Sequence, residues 1–188
     1  MPITRTQTSV QLFKPRKQSK NSQKRADLRE SLWPGSGDLI WSRQTNDGFT
    51  TVPRLMPLIM HLISKLAGKG KGDPSGVYFE LWARAFDEGI LTISDENNHA
   101  FAAGYTGTRA VRTWREHILR LQELGFIKVK ALGNREIGHI LLIDPLRVCF
   151  DLHKMQPNLV PDEWWVAFVS RASEIGARLT PLAAKKSG

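Results

Sequence analysis

Arg112 and Thr113 stand three and four residues after Arg109, and Glu116 stands four and three residues after them, with Arg115 and Arg120 close by. Steps of this size gather side chains on one face of an α-helix. A guanidinium on such a face can chelate O6 and N7 of guanine, and a hydroxyl can meet a phosphate or a base edge; this is the chemistry of reading duplex DNA in its major groove. Arg109, Arg112 and Thr113 are assigned to bases, and Thr106, Thr108 and Arg115 to phosphates. The alternative is a solvated face whose arginines pair with Glu116 and Glu123.

The elements that must position these residues are written on both sides of them. From Thr108 onward, Val111, Trp114, Ile118, Leu121 and Leu124 keep to one stripe of a helix of about 3.6 residues per turn, so the face opposite the arginines is buried. Thr106 or Thr108 is the expected N-cap, and Gly125 ends the helix in the left-handed conformation. Upstream, Ser94 or Asp95 caps a short helix containing Phe101, Ala102 and Ala103, and Gly104 makes a tight turn. Downstream, Phe126 to Lys130 alternates as a strand. Gly133 and Asn134 supply a turn, and Gly138 to Ile143 returns. Lys128, Lys130 and Arg135 are then displayed for phosphates beside the groove. Gly89 to Ile93 is expected to be a short strand paired with this hairpin.

Helix, turn, helix and hairpin in that order resemble the winged helix-turn-helix proteins, and the resemblance covers Phe49 to Ile143, about half the chain. The run AAGYTGTRAVRTWREHILRLQELGFIKVK is similar to small regulators and replication-associated proteins carried by bacterial plasmids and integrative elements. LQELGFIKVK is similar to the join between recognition helix and wing in such proteins. The resemblance implies double-stranded DNA as partner, read by the N-terminal end of the second helix. It carries over no catalytic motif. The expected function is that of a transcriptional repressor or a plasmid replication or maintenance regulator, acting as a homodimer. The alternative is a winged-helix module that docks on another protein through Trp33, Trp41 or Trp164.

A chain of 188 residues can bury an ordinary core without staples. Its single cysteine, Cys149, excludes an intramolecular disulfide and a multi-cysteine zinc site, and its apolar neighbours make it a core residue. No apolar run of signal-peptide or membrane-span length is present, so a cytoplasmic, nucleoid-associated protein is expected. The net charge of +9 favours a polyanionic partner, but residues 1–30 hold eight basic against two acidic residues, two thirds of the excess. The basic balance alone therefore does not make the folded part a DNA binder; the arginine face has to carry that inference.

Taken in order, residues 1–30 are polar and read as a disordered basic arm, and 31–48 as a linker in which Leu39 to Trp41 fold back as a short strand or anchor. A strongly apolar core helix begins at Pro53 and carries Leu55, Met56, Leu58, Ile59, Leu62, Ile63 and Leu66, with His61 on it read as a satisfied polar residue and not as a ligand. Gly68 to Gly76 lacks the spacing of a nucleotide-binding loop and reads as a mobile basic connection. Val77 to Phe86 forms a helix that packs Phe79, Leu81, Trp82, Ala85 and Phe86. Residues 144–177 are C-terminal helices, the first capped by Asp144 ahead of Pro145. In the second, Trp164 and Trp165 point about 100° apart, so one of them is left for a dimer contact. Residues 178–188 form a flexible tail.

Histidines 61, 99, 117, 139 and 153 are scattered without metal-ligand spacing, and Asp95 and Glu96 are helix-start charges. No enzyme, catalytic residue, cofactor, metal or small-molecule ligand is expected. The fold class is mainly α with a small β-hairpin: a winged helix-turn-helix over 49–143 with extra C-terminal helices and a disordered basic N-terminal arm.

Overall fold

The computed structural model describes residues 20–43, 46–68, 70 and 72–179. The chain divides into two units, residues 1–48 and 49–188. In the first unit, helix α1 (Lys20–Leu32) is followed by a 3-10 turn at Ser36–Leu39. The reading of 1–30 as structureless is thus corrected from Lys20 onward, while its first nineteen residues lie outside the described ones. No residue of α1 is buried. Leu39 ends the 3-10 turn instead of entering a strand, and it, Ile40 and Trp41 are exposed.

The second unit contains, among the described residues, six α-helices and a three-stranded antiparallel sheet. Helix α2 (Met56–Leu66) starts three residues after Pro53 and has Pro57 in its first turn, where a missing N–H costs nothing. It buries Met56, Ile59, Leu62, Ile63 and Leu66, and His61 is exposed. Helix α3 (Ser75–Arg84) buries Val77, Tyr78, Glu80 and Leu81. Phe79 and Phe86, expected in the core, are exposed. Tyr78 takes the central place and meets Phe126 edge to face at 5.3 Å.

Strand β1 (Ile90–Thr92) leads to helices α4 (Glu96–Ala102) and α5 (Ala110–Glu123), then to strands β2 (Ile127–Leu132) and β3 (Arg135–Leu142). The sheet order is β1-β3-β2, with Leu91 opposite Ile140 and Val129 on the other side of the same residue. The expected pairing of the short strand with the hairpin is therefore present. Between Lys130 and Leu132 the register shifts, and a Cβ at Gly138 would overlap the backbone of Leu132, so glycine is what lets the two strands close at this irregularity.

Asp144 caps helix α6 (Pro145–Met155) by accepting from Leu146 N–H at 3.0 Å. Cys149 on α6 is fully buried. In helix α7 (Asp162–Glu174), Trp164 enters the core and its indole N–H donates to the Leu58 carbonyl at 2.8 Å. Trp165 is covered differently: it stacks on His153 of α6 at 3.8 Å and lies 6.3 Å from Phe150. Trp164 is thus buried, while Trp165 stays half-buried between its contacts on α6 and solvent. Of the tail, 180–188 lie outside the described residues.

Candidate nucleic-acid interface

Asp95 starts the local structure. Extended at the cap position, it accepts from Asn97 N–H at 2.9 Å and Asn98 N–H at 3.4 Å, satisfying two first-turn donors of α4. The helix closes at Gly104 (φ +91°), and the chain enters α5 through Gly107 (φ +81°), with Ala110 N–H bonded to the Gly107 carbonyl. Arg109 occupies the cap position of α5 in a helical conformation, and no side chain caps it. This corrects the assignment of Thr106 or Thr108 as N-cap. Both threonines are exposed in the turn instead.

Helix α5 buries Trp114, His117, Ile118 and Leu121, and Gly125 (φ +85°) ends it as expected. Two polar ties anchor this buried side. The Tyr105 hydroxyl lies 2.6 Å from His117 Nδ1 and donates to the Asp73 carbonyl at 3.5 Å. Burial, then the Asp73 charge, raises the Tyr105 pKa, keeping the phenol protonated. Burial works to raise the Asp73 pKa too, but is outweighed by the Ser75 N–H, by the hydroxyls of Ser75 and Ser64, and by His117, so the net direction is down. The second tie is deeper: His99 Nδ1 sits 3.0 and 3.2 Å from the two oxygens of the buried Glu80 carboxylate, which also pairs with Arg84. The His99 ring lies 5.7 Å from that of Trp114, so this carboxylate fixes α3, α4 and the base of α5 together.

The opposite side of α5 faces solvent. Arg109, Arg112, Arg115 and Glu116 are exposed and Thr113 is half-buried. Arg112 Nε donates to Glu116 Oε1 at 2.9 Å. Arg115 is held by α4, its Nε donating to Glu96 Oε2 at 2.8 Å; this bond raises the Arg115 pKa further. Arg120 turns inward to the Leu66 carbonyl and to Glu123. On β2, alternation leaves Lys128 and Lys130 exposed while Ile127 is buried. Arg135 Nη1 donates to the Ile93 carbonyl at 3.1 Å and so ties β3 to the end of β1.

The predicted residues thus sort into groups. Thr106, Thr108, Arg109, Arg112 and Thr113 lie together over the α4–α5 connection and the first turn of α5. Lys128 and Lys130 lie apart from them on the hairpin. Arg115 and Arg135 carry intramolecular partners that the sequence reading did not assign. The Glu80–His99 pair was also missed; its partners are nineteen residues apart, and a Glu between Phe79 and Leu81 carries no burial signal. His117 could have been found, three residues after Trp114 on the apolar stripe. Among the described residues no group of His, Cys, Asp or Glu is arranged to hold a metal, and no helix is long and apolar enough to cross a membrane. Neither a family model nor a curated protein nor a solved structure matches the chain.

Proposed function

We propose that residues 49–143 form a winged helix-turn-helix that binds double-stranded DNA sequence-specifically, with α5 as recognition helix and the β2–β3 hairpin as wing. The observation that carries this reading is the face of exposed Arg109 and Arg112 beside half-buried Thr113, at the start of a helix that follows α4 across a glycine turn and runs at once into the hairpin. The pairing of β1 with β3 supports it, since a short strand before the two helices completes the sheet of such a domain. The protein acts as a homodimeric repressor or as a plasmid replication or maintenance regulator, at the nucleoid in the cytoplasm.

The test is selection of bound sites from random duplex DNA, followed by titration of the best site at several salt concentrations. A single enriched motif is expected, with affinity falling steeply as salt rises because bound counterions are released. A second reading, docking on a protein through tryptophans, is favoured by the exposure of Trp33 and Trp41, although Trp164 is buried and leaves that set. Such an apolar interface keeps its affinity in salt, so the same titration separates the two.

A further inference from the structure

We propose that Glu116 is a specificity determinant of the α5 face, accepting a hydrogen bond from the exocyclic amine of a cytosine next to the guanine read by Arg112. The inference rests on the DNA-binding reading above and deepens it. Glu116 continues the face of Arg109, Arg112 and Thr113 one turn further along α5, at steps of three and four residues. Its side chain is 58% exposed and that of Arg112 75%, so both reach whatever meets this face.

A carboxylate placed there has a cost on every DNA sequence. Duplex DNA carries one negative charge per about 1.7 Å of axis, and an acidic side chain pushed into its groove is repelled unless a base donates to it. The exocyclic donors of the major groove are cytosine N4 and adenine N6, and the N7 acceptor beside adenine N6 repels a carboxylate, so cytosine is the acidic counterpart of guanine read by arginine. As an exposed ion pair one turn apart on α5, the contact adds only a little to the fold.

The bond between the two residues makes joint reading possible. It engages Arg112 through Nε and Glu116 through Oε1. The two η nitrogens of the guanidinium are thereby left to form the bidentate pair with guanine, and Oε2 to accept from cytosine. Each side chain also holds the other in place, so the pair enters the groove already ordered. A buried Trp114 and the Glu96–Arg115 bond fix the helix beneath it.

The experiment selects sites from random duplex DNA with the full chain, with Glu116→Gln and with Glu116→Ala, after thermal melts establish that all three are folded. The parent is expected to enrich a site with cytosine next to a required guanine. Glu116→Gln should move the preference at that one position from cytosine to adenine, because a carboxamide pairs with N6 and N7 of adenine. Glu116→Ala should lose roughly tenfold discrimination at that position while binding random DNA more tightly than the parent does. A parent that enriches a site whose base preferences are unchanged in both variants overturns the role of Glu116 and leaves the DNA reading standing. A parent that enriches no site overturns both.

Discussion

Arg109 and Arg112 leave α5 as planar, multi-donor groups, whereas Lys128 and Lys130 leave β2 as point charges, and this difference decides what each can do to DNA. If the arginines reach base edges, changing either to Ala costs ~1 to 3 kcal/mol on a selected site and much less on random DNA, so the specificity ratio narrows. Changing Lys128 or Lys130 to Ala weakens both kinds of DNA by similar factors, because phosphates carry no sequence. Equal losses for arginine and lysine variants on both DNAs would remove the assignment of α5 as reader. A different residue-scale consequence follows from Cys149. Burial, helped by the Asp144 charge, pushes its thiol up to about 12 from an ordinary value of 9.0. The folded chain thus holds the proton that the unfolded chain releases. The stability this contributes is complete below pH 9.0 and is lost as pH rises from there towards about 12. At pH 8 an alkylating reagent should label Cys149 only after denaturation, and in Cys149→Ala the fall of melting temperature above pH 9.0 should be shallower. Labelling of the native protein at the denatured rate would show the thiol to be accessible.

At the scale of elements, α5 is held by its buried stripe and the reading face depends on that hold. Trp114 is fully buried, with the His99 ring beside it. Trp114→Ala should therefore cost ~3 to 5 kcal/mol by leaving a cavity under the helix. A variant that melts within a degree or two of the parent would place Trp114 outside the core. This helix, its Gly125 stop, the Asp95 and Asp144 caps and the hairpin were all legible in the sequence, because each rests on periodicity or on residues a few positions apart. Helix α1 was not, since it has no apolar stripe to declare a period. The inward face of α3 was misread for the converse reason: VYFELWARAF is apolar at so many positions that several stripes are available, and packing against Phe126 selects the one through Tyr78. The candidate site was legible as a face of arginines, and the alternative of arginines paired with Glu116 and Glu123 is met by Arg112 and Arg120, but the bonds to other elements were not legible. Glu96 with Arg115 and Ile93 with Arg135 are brought together by the turn and the sheet, across spans over which local patterns say nothing.

For the whole molecule, charge and core are distributed differently along the chain. Residues 1–30 carry a balance of +6 out of +9, yet the buried residues of the apolar core run from Leu55 to Ala172. Helix α1 has thirteen residues, none buried, and a helix of that length gains little in water without a packed face. Removing residues 1–30 therefore takes away most of the excess positive charge and, among the described residues, no buried side chain. If those basic residues meet DNA as proposed, they release counterions as they neutralise phosphates, each neutralised phosphate contributing about 0.9 to the slope of log affinity against log salt. On the proposed reading, base contacts by Arg109 and Arg112 do not depend on them. The truncated chain should thus melt close to the temperature of the full chain, bind its selected site more weakly, show a flatter salt dependence, and keep the same base preferences. Melting temperature, salt slope and selected motif test these separately. A large fall in melting temperature would mean that the first thirty residues stabilise the folded unit, and an unchanged salt slope would mean that their charge never meets the phosphates.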